Sequence, residues 1–285
     1  MSNLNLVKEL REKTGAGFLD CKEALSKNSD DIDNAIDFLR KKGLAKASKK
    51  STREANEGAI GIYENEKICV ILKVNSETDF AAKSDTFLDF IDYLGNLVLG
   101  LEKLDLNLQT FLETNIESKS IKEIVDEMIA KVGENIIISD LKIINKLNTD
   151  LAHYVHNSYR KNIGKLISVL DFESIKKDKE INNFAKNLCM HIAALKPEAI
   201  DKDDLDKSII DKELNIQKEL ISSSGKPSNV VDKILDGKMK KFYSEITLLN
   251  QSFVLDNDKT VKEKIENDFK DYAFKIKKFE LLSLI

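Results

Sequence analysis

The spacing of apolar side chains predicts three short helices at the start of the chain. The inner face of the first helix carries Leu6, Val7 and Leu10. The paired glycines of the turn at residues 14–17 allow a tight reversal into the second helix. The third helix has Asp30 or Asp31 as its N-cap, and Gly43 is placed to end it. These elements together predict a compact helical bundle.

Residues 44–57 are basic and contain almost no bulky apolar side chain, so we interpret them as a linker or an exposed helix. Their cationic residues are Lys46, Lys49, Lys50 and Arg53. A nucleic-acid patch is the functional alternative, but this segment has no aromatic residues on which bases could stack.

From residue 58 the pattern changes from helical to strand-like. Ile60 and Ile62 alternate with small residues, and residues 68–74 form an almost continuous β-favouring run. A polar break at 75–84 leads into a helix whose apolar stripe is Phe87, Ile91, Leu94, Val98 and Leu101. A further helix over 121–132 ends at Gly133, and a strand is expected at 136–138.

The same order of elements then recurs. A strand at 165–172, a polar break at 173–179 and a helical stripe over 181–195 repeat the earlier unit, which suggests an internally duplicated α+β core. Two amphipathic helices around the polar turn at 222–227 predict an antiparallel hairpin at about 200–238. A last helix from about Thr260 precedes a strand at 273–279. The predicted fold class is α+β.

Composition narrows the functional classes. The net charge of −4 and the pI near 5.7 give no general attraction to phosphates, so we expect no nucleic-acid partner. The start of the chain does not resemble a signal or transit peptide, and no stretch approaches the roughly 20 apolar residues that span a bilayer. We therefore expect a cytoplasmic protein without a membrane partner. Three widely separated cysteines are interpreted as reduced, buried thiols.

No pattern for enzymatic chemistry is present in the sequence. It contains neither a GxxxxGK[ST] phosphate loop nor a GxGxxG turn after a strand, and no GxSxG nucleophile. His153 and His156 are spaced as two metal ligands on a helix could be, but no cysteine or third histidine lies nearby. We expect no cofactor, no metal and no catalysed covalent step.

The polar break at residues 75–80 contains one large aromatic side chain, Phe80. One interpretation is that Phe80 folds back over the core while Asp79 caps the following turn. The other is that Phe80 projects from a rigid scaffold, an arrangement typical of the hot spots of protein interfaces.

Several motifs resemble those of a known family. Residues 6–17, LVKELREKTGAG, with Asp20-Cys21-Lys22 and Ala24-Leu25 after them, are similar to the opening signature of the elongation factor Ts family. Thr78-Asp79-Phe80 with Ala82-Lys83 resembles the second signature of that family. Further similar stretches follow in the family's order: Met190–Ala194, Lys196-Pro197, Ser224–Pro227 and Met239–Phe242. The resemblance extends over essentially the full chain.

The resemblance implies a fold of four parts. Residues 1–55 would form a three-helix domain like the ubiquitin-associated (UBA) domain, with its linker. Residues 56–144 and 145–257 would form the two halves of the duplicated core, with the helical hairpin inserted in the second half. Residues 258–285 would form a small C-terminal module.

The resemblance also implies a guanine-nucleotide exchange factor that binds elongation factor Tu, in GDP-bound and nucleotide-free forms, and releases its GDP. Asp79 and Phe80 would enter between two helices of the partner's nucleotide domain and disturb its magnesium site. Phe18 and Leu19 would touch the same domain, and Val132 and His156 would add contacts. The implied contact residues are Thr78, Asp79, Phe80, Phe18, Leu19, Val132 and His156.

The sequence departs from the family pattern at three places. Phe18-Leu19 stands where the family often has two methionines, polar residues follow His156 where it usually has glycines, and Leu281–Ile285 replaces its acidic finish. Self-association through the hairpin is a further possibility. The rival interpretations are a ubiquitin-like or peptide-binding module and an RNA-binding module.

Overall fold

The structure of the protein, a computed structural model, describes residues 3–222 and 228–284. Of residues 3, 44, 46, 48, 222, 228 and 229 it describes the backbone alone. Of the predicted turn at 222–227, residues 223–227, with the family stretch Ser224–Pro227, therefore lie outside the described residues.

The chain forms α-helices and strands in mixed order, as the predicted α+β class requires. The helices are α1 (Asn3–Thr14), α2 (Phe18–Lys27), α3 (Ile32–Lys50), α4 (Asp79–Lys83), α5 (Asp85–Leu101), α6 (Leu108–Glu113), α7 (Ile121–Val132), α8 (Lys179–Leu195), α9 (Lys207–Ser222), α10 (Ser228–Ile246) and α11 (Val261–Asp268). The strands are β1 (Glu57–Glu64), β2 (Ile68–Ser76), β3 (Asn115–Ile116), β4 (Lys119–Ser120), β5 (Ile136–Asn145), β6 (Asp150–His156), β7 (Ile163–Gly164), β8 (Leu166–Glu173), β9 (Ser252–Phe253), β10 (Asp256–Thr260) and β11 (Lys275–Ser283).

The first three helices pack around a small apolar core that includes Val7, Leu10, Cys21, Ala24 and Leu25. Asp31, not Asp30, is the N-cap of α3, and its carboxylate accepts a 2.9 Å hydrogen bond from the Asn34 amide.

The prediction that α3 ends at Gly43 is wrong, because the helix continues to Lys50. A Cβ at position 43 would lie 2.9 Å from the Cβ of Ala130, so Gly43 serves the close approach of α3 to α7. Ala47 is fully buried in the core that also contains α5 and α7 residues. Half of the predicted linker is therefore a packed helix.

The chain divides into two compact units. The first comprises residues 3–147, 157–166 and 282–284. Its antiparallel sheet has the strand order β5–β2–β1–β7, with Glu57 paired to Ser76 and Glu64 to Cys69. Alternate residues of β2 share a core with the inner face of α5: Ile68, Val70, Leu72 and Val74. Helix and sheet approach closely at Gly95, where a Cβ would lie 2.1 Å from the Tyr63 ring.

The second unit comprises Asn148–His156 and Ile167–Leu281. Its main sheet has the order β11–β8–β6, and α8 packs on β6. The core is aromatic: the Phe184 ring stacks on Phe269 with centroids 4.0 Å apart and meets the edge of Phe274 at 5.2 Å.

Each unit contains a strand, a short polar segment and a long amphipathic helix in that order, β2 to α5 in the first and β8 to α8 in the second. The strand and helix predictions for these segments are confirmed. That these two strand–helix segments are internal duplicates, and the four-part division of the chain, stay predictions.

Several predicted boundaries in the second unit are corrected. The predicted hairpin helices are α9 and α10, which pack against each other, but they begin at Lys207 and run to Ile246. Leu205, which the apolar spacing places on the first hairpin helix, instead precedes α9 and ends a 3-10 turn. The last strand begins at Lys275, because Ala273 has a left-handed backbone with φ of 46°.

Among the described residues, none of the helices combines the length and apolar character needed to cross a membrane. The expected cytoplasmic location stays a prediction.

Candidate partner-binding site

Phe80 points away from the protein. Its side chain is 84% exposed, the largest exposure among the large apolar residues of the described chain, and it lies on α4, a helix of 5 residues. The next two residues, Ala81 and Ala82, occupy the buried positions of this short helix. The interpretation in which Phe80 folds back over the core is therefore wrong.

Both ends of α4 are fixed by hydroxyl caps. Thr78 is the N-cap: its Oγ1 accepts a 3.2 Å hydrogen bond from the Ala81 amide. Asp79 is therefore the first residue of the helix and not its cap, which corrects the same interpretation. At the other end, Ser84 Oγ donates to the Ala81 carbonyl at 2.8 Å and caps the start of α5. Phe80 thus stands on a short helix held at both ends.

Two loops of the first unit bind each other through their glutamates. Glu134 accepts hydrogen bonds from Thr78 at both carboxylate oxygens, 2.9 Å from the amide N and 2.7 Å from the hydroxyl Oγ1. Glu77 in turn accepts a 2.6 Å hydrogen bond from the Asn135 amide. We call these four residues, Glu77, Thr78, Glu134 and Asn135, the carboxylate clamp. The clamp joins the segment before α4 to the segment after α7.

Asp79 and Lys83 form an ion pair along α4, with Nζ 2.7 Å from Oδ2. The hydrogen bond from Lys83 holds the pKa of the Asp79 carboxyl below its usual value. Both side chains are exposed, so the pair contributes little to stability and can be exchanged for other contacts at low cost. Asp79 is therefore ionised and is the residue next to Phe80 on α4.

Phe18 and Leu19 form a second exposed apolar group, on the first turn of α2. Their side chains are 42% and 78% exposed, whereas Cys21, Ala24 and Leu25 of the same helix are buried. Helix α2 therefore carries two large apolar residues that are not buried in the bundle core. An exposed pair of large apolar side chains on a rigid helix is a feature of interaction surfaces.

Val132 and His156 lie in different units. Val132 is the last residue of α7, half-buried against the first core and followed by the αL cap Gly133, next to the clamp residue Glu134. His156 ends β6 in the second unit, where its Nδ1 is 3.0 Å from the Tyr154 hydroxyl. The first unit thus contains six of the seven predicted contact residues, and it brings Thr78 and the segment after Val132 together.

The clamp is not evident in the sequence, where residues 133–135 indicate only the end of a helix and the approach to a strand. The sole signal was two glutamates, each placed beside a loop turn, and a chain with 49 acidic residues contains many of those.

The basic segment is engaged within the chain at two of its described side chains. Lys50 Nζ donates to the Gly133 carbonyl, and Arg53 lies 3.5 Å from Glu77. The RNA-binding interpretation thus loses part of the free positive charge it would use.

Within the described ranges, no cluster of three or more His, Cys, Asp or Glu could hold a metal ion.

His191, in the family-like stretch Met190–Ala194, is a buried structural residue. Its Nε2 lies 2.9 Å from the Gln251 Oε1, and its Nδ1 accepts a 3.3 Å hydrogen bond from the Val254 amide. Burial lowers the pKa of the imidazole, which is therefore neutral with its proton on Nε2.

Comparisons with known proteins identify the family of the chain. A family profile described as "Elongation factor TS" matches residues 77–284. Elongation factor Ts of Rhizobium meliloti is 38% identical over 263 residues, which covers 92% of this chain and 85% of that protein. The chain belongs to the elongation factor Ts family.

Elongation factor Ts proteins of two Rickettsia species support the same assignment over almost the whole chain. The protein of Rickettsia felis is 38% identical and that of Rickettsia prowazekii 39% identical, each over 283 residues, which cover 97% of this chain and 90% of the relative. The similarity therefore includes the bundle and α2, which precede the part matched by the family profile. The elongation factor Ts family is a family of translation elongation factors.

Proposed function

We propose that the protein is a guanine-nucleotide exchange factor for elongation factor Tu, and not an enzyme. It binds the GDP-bound and nucleotide-free forms of that GTPase and needs no cofactor of its own. The observation that carries the proposal is Phe80, an aromatic side chain 84% exposed on a helix capped at both ends, within a chain of this family.

The proposed mechanism is the entry of the Asp79-Phe80 segment beside the magnesium and phosphate site of the partner. Magnesium tolerates little departure from octahedral coordination, so a small displacement of its ligands weakens the binding of the nucleotide. Phe80 supplies apolar contact area, and Asp79 brings a negative charge that disfavours the phosphates. Because the backbone of both residues is already held in the capped helix α4, little backbone conformational entropy is lost when they enter the partner.

Exchange follows from linkage between the two ligands of the GTPase. The factor accelerates GDP loss because it binds the GTPase better when the nucleotide site is disturbed. By linkage, bound GDP weakens the binding of the factor to the same degree. Each tenfold acceleration needs about 1.4 kcal/mol, and burying one Phe yields roughly 1.5–3 kcal/mol. Phe80 alone therefore accounts for one or two powers of ten, and further contacts are needed.

Phe18 and Leu19 supply such contacts in the proposal, with Thr78, Val132 and His156 as further members of the interface. The bundle α1–α3 would be UBA-like, and residues 56–144 and 145–257 would be the two halves of a duplicated core. The exposure of Leu19, 78%, supports an apolar contact there.

The deciding experiment is stopped-flow release of a fluorescent GDP from elongation factor Tu, with and without this protein. Accelerated release supports the proposal. Release at the spontaneous rate, under conditions where the two proteins bind each other, would contradict it.

A further inference from the structure

We propose that Glu134 is a positioning residue for nucleotide exchange: it holds Thr78, and through Thr78 it fixes the direction of Phe80. The inference rests on the proposed function. Glu134 itself need not touch the partner, because its two carboxylate oxygens are both engaged by Thr78.

The hydroxyl of Thr78 has two roles that depend on each other. It donates its proton to Glu134 Oε1 at 2.7 Å, and its oxygen accepts from the Ala81 amide at 3.2 Å. With its proton directed to Glu134, the hydroxyl presents a lone pair to the first turn of α4. Removal of the carboxylate frees the hydroxyl to rotate and leaves the Thr78 amide without its charged acceptor. The N-cap of α4 is weakened as a result.

The short helix has little else to order it. Isolated helices of 5 residues are far below the length that is stable in water. Its inward side chains, Ala81 and Ala82, bury only one methyl group each. Hydrogen bonds to charged groups are roughly twice as strong as those between neutral groups. The clamp therefore provides a large part of what keeps Phe80 in one orientation.

A continuous chain of contacts connects the clamp to the bundle. Lys50 at the end of α3 donates to the Gly133 carbonyl, and the next residue, Glu134, binds Thr78. Gly133 adopts a φ of 86°, which a residue with a side chain rarely adopts, and this turn directs Glu134 out of α7. The bundle and the Phe80 helix thus share one support.

The test compares full-length Glu134→Ala and Glu134→Gln with the natural protein in stopped-flow release of fluorescent GDP from elongation factor Tu. The maximal rate and the half-saturating concentration are both measured. We expect Glu134→Ala to lower the maximal rate roughly tenfold, because most molecules then have a disordered Phe80. The half-saturating concentration should change much less, because the other contacts remain.

Glu134→Gln keeps one acceptor oxygen, so its maximal rate should fall between those of Glu134→Ala and the natural protein. Glu66→Ala is the matched control, since it removes the same charge from an exposed turn of the same unit and should release GDP at the natural rate. Thermal unfolding of each variant verifies that it is folded.

A double variant separates positioning from a direct contact. With Phe80→Ala already present, Glu134→Ala should cause little further loss, since there is no ring left to position. If the double variant loses rate by the product of the two single losses, the inference is wrong. It is also wrong if folded Glu134→Ala releases GDP at the rate of the natural protein. In both cases the exchange function stands. Only failure of the natural protein to accelerate release removes the proposed function as well.

Discussion

The guanidinium of Arg160 donates a 2.7 Å hydrogen bond to Oδ2 of Asp92, and so ties the segment before β7 to the middle of α5. The other oxygen of the same carboxylate accepts from the Tyr63 hydroxyl at 3.0 Å and from the Asn162 amide group at 3.2 Å. Asp92 therefore gathers a strand, a helix and a loop of the first unit at one point.

Arg160→Gln should lower the thermal unfolding midpoint by roughly 2–4 °C, because it leaves the partly buried Asp92 without its cationic partner and also removes the ion pairs with the exposed Asp85 and Asp89. The exposed Lys161→Gln removes the same charge one residue away and should leave the midpoint unchanged. Equal shifts in the two variants, measured by circular dichroism, would mean that net charge and not the Asp92 contact is responsible.

Phe80→Ala should slow factor-stimulated GDP release roughly tenfold or more while the unfolding midpoint stays the same. The reason is that an 84% exposed ring contributes almost nothing to the core but about 1.5–3 kcal/mol to an interface that buries it. Stopped-flow fluorescence measures the rate. Tyr93→Ala is the control, because Tyr93 is another exposed aromatic of the same unit, 45% exposed on α5. Similar losses in both variants would argue against a specific role of Phe80.

Leu19→Ala should weaken binding to nucleotide-free elongation factor Tu roughly tenfold without changing stability. The side chain is 78% exposed in the free protein, so its burial in a complex would contribute about 1.5–3 kcal/mol. Isothermal titration calorimetry measures the Kd. Leu104→Ala, at a position 48% exposed in the same unit, should leave the Kd unchanged. An unchanged Kd for Leu19→Ala would place α2 outside the interface.

The sequence predicts most long elements because their apolar spacing is strong. The stripe from Phe87 to Leu101 became α5, and the run from Ile68 to Val74 became β2. The weaker signals failed. The sequence does not predict β6. All seven of its residues are half-buried, so the strand lacks the regular alternation of apolar and polar residues that marks a strand with one exposed face. Gly43 predicts a helix end that is absent, because only the tertiary structure shows that α3 and α7 meet there.

The sequence indicates Thr78-Asp79-Phe80 as a candidate site, but not the geometry of these residues. The family motif drew attention to Thr78-Asp79-Phe80, yet the direction of Phe80 depends on Ala81 and Ala82 occupying the buried positions of α4. Glu134 lies 56 residues from Thr78, and no periodicity relates two loops at that separation. Contacts of this kind are decided by how the sheet and α7 bring the loops together.

His191 should make the stability of the protein depend on pH. Burial lowers the pKa of His191 in the folded state below its value of about 6.5 in the unfolded chain, so the unfolded chain binds more protons as the pH falls through that range. The free energy of unfolding contributed by this group is therefore fully present above pH 6.5 and decreases below it, by at most about 1.4 kcal/mol per pH unit.

Urea unfolding at pH 7.5 and pH 5.5 measures this effect. The natural protein should be less stable at the lower pH, and His156→Gln should retain the difference, since His156 is not part of the buried network around Gln251. Nuclear magnetic resonance of the histidine side chains gives a direct reading. At pH 6, where an unperturbed histidine is mostly charged, a larger fraction of the His191 ring should show the chemical shifts of the neutral, Nε2-protonated form. A His191 ring that titrates at about pH 6.5 in the folded protein would contradict the prediction.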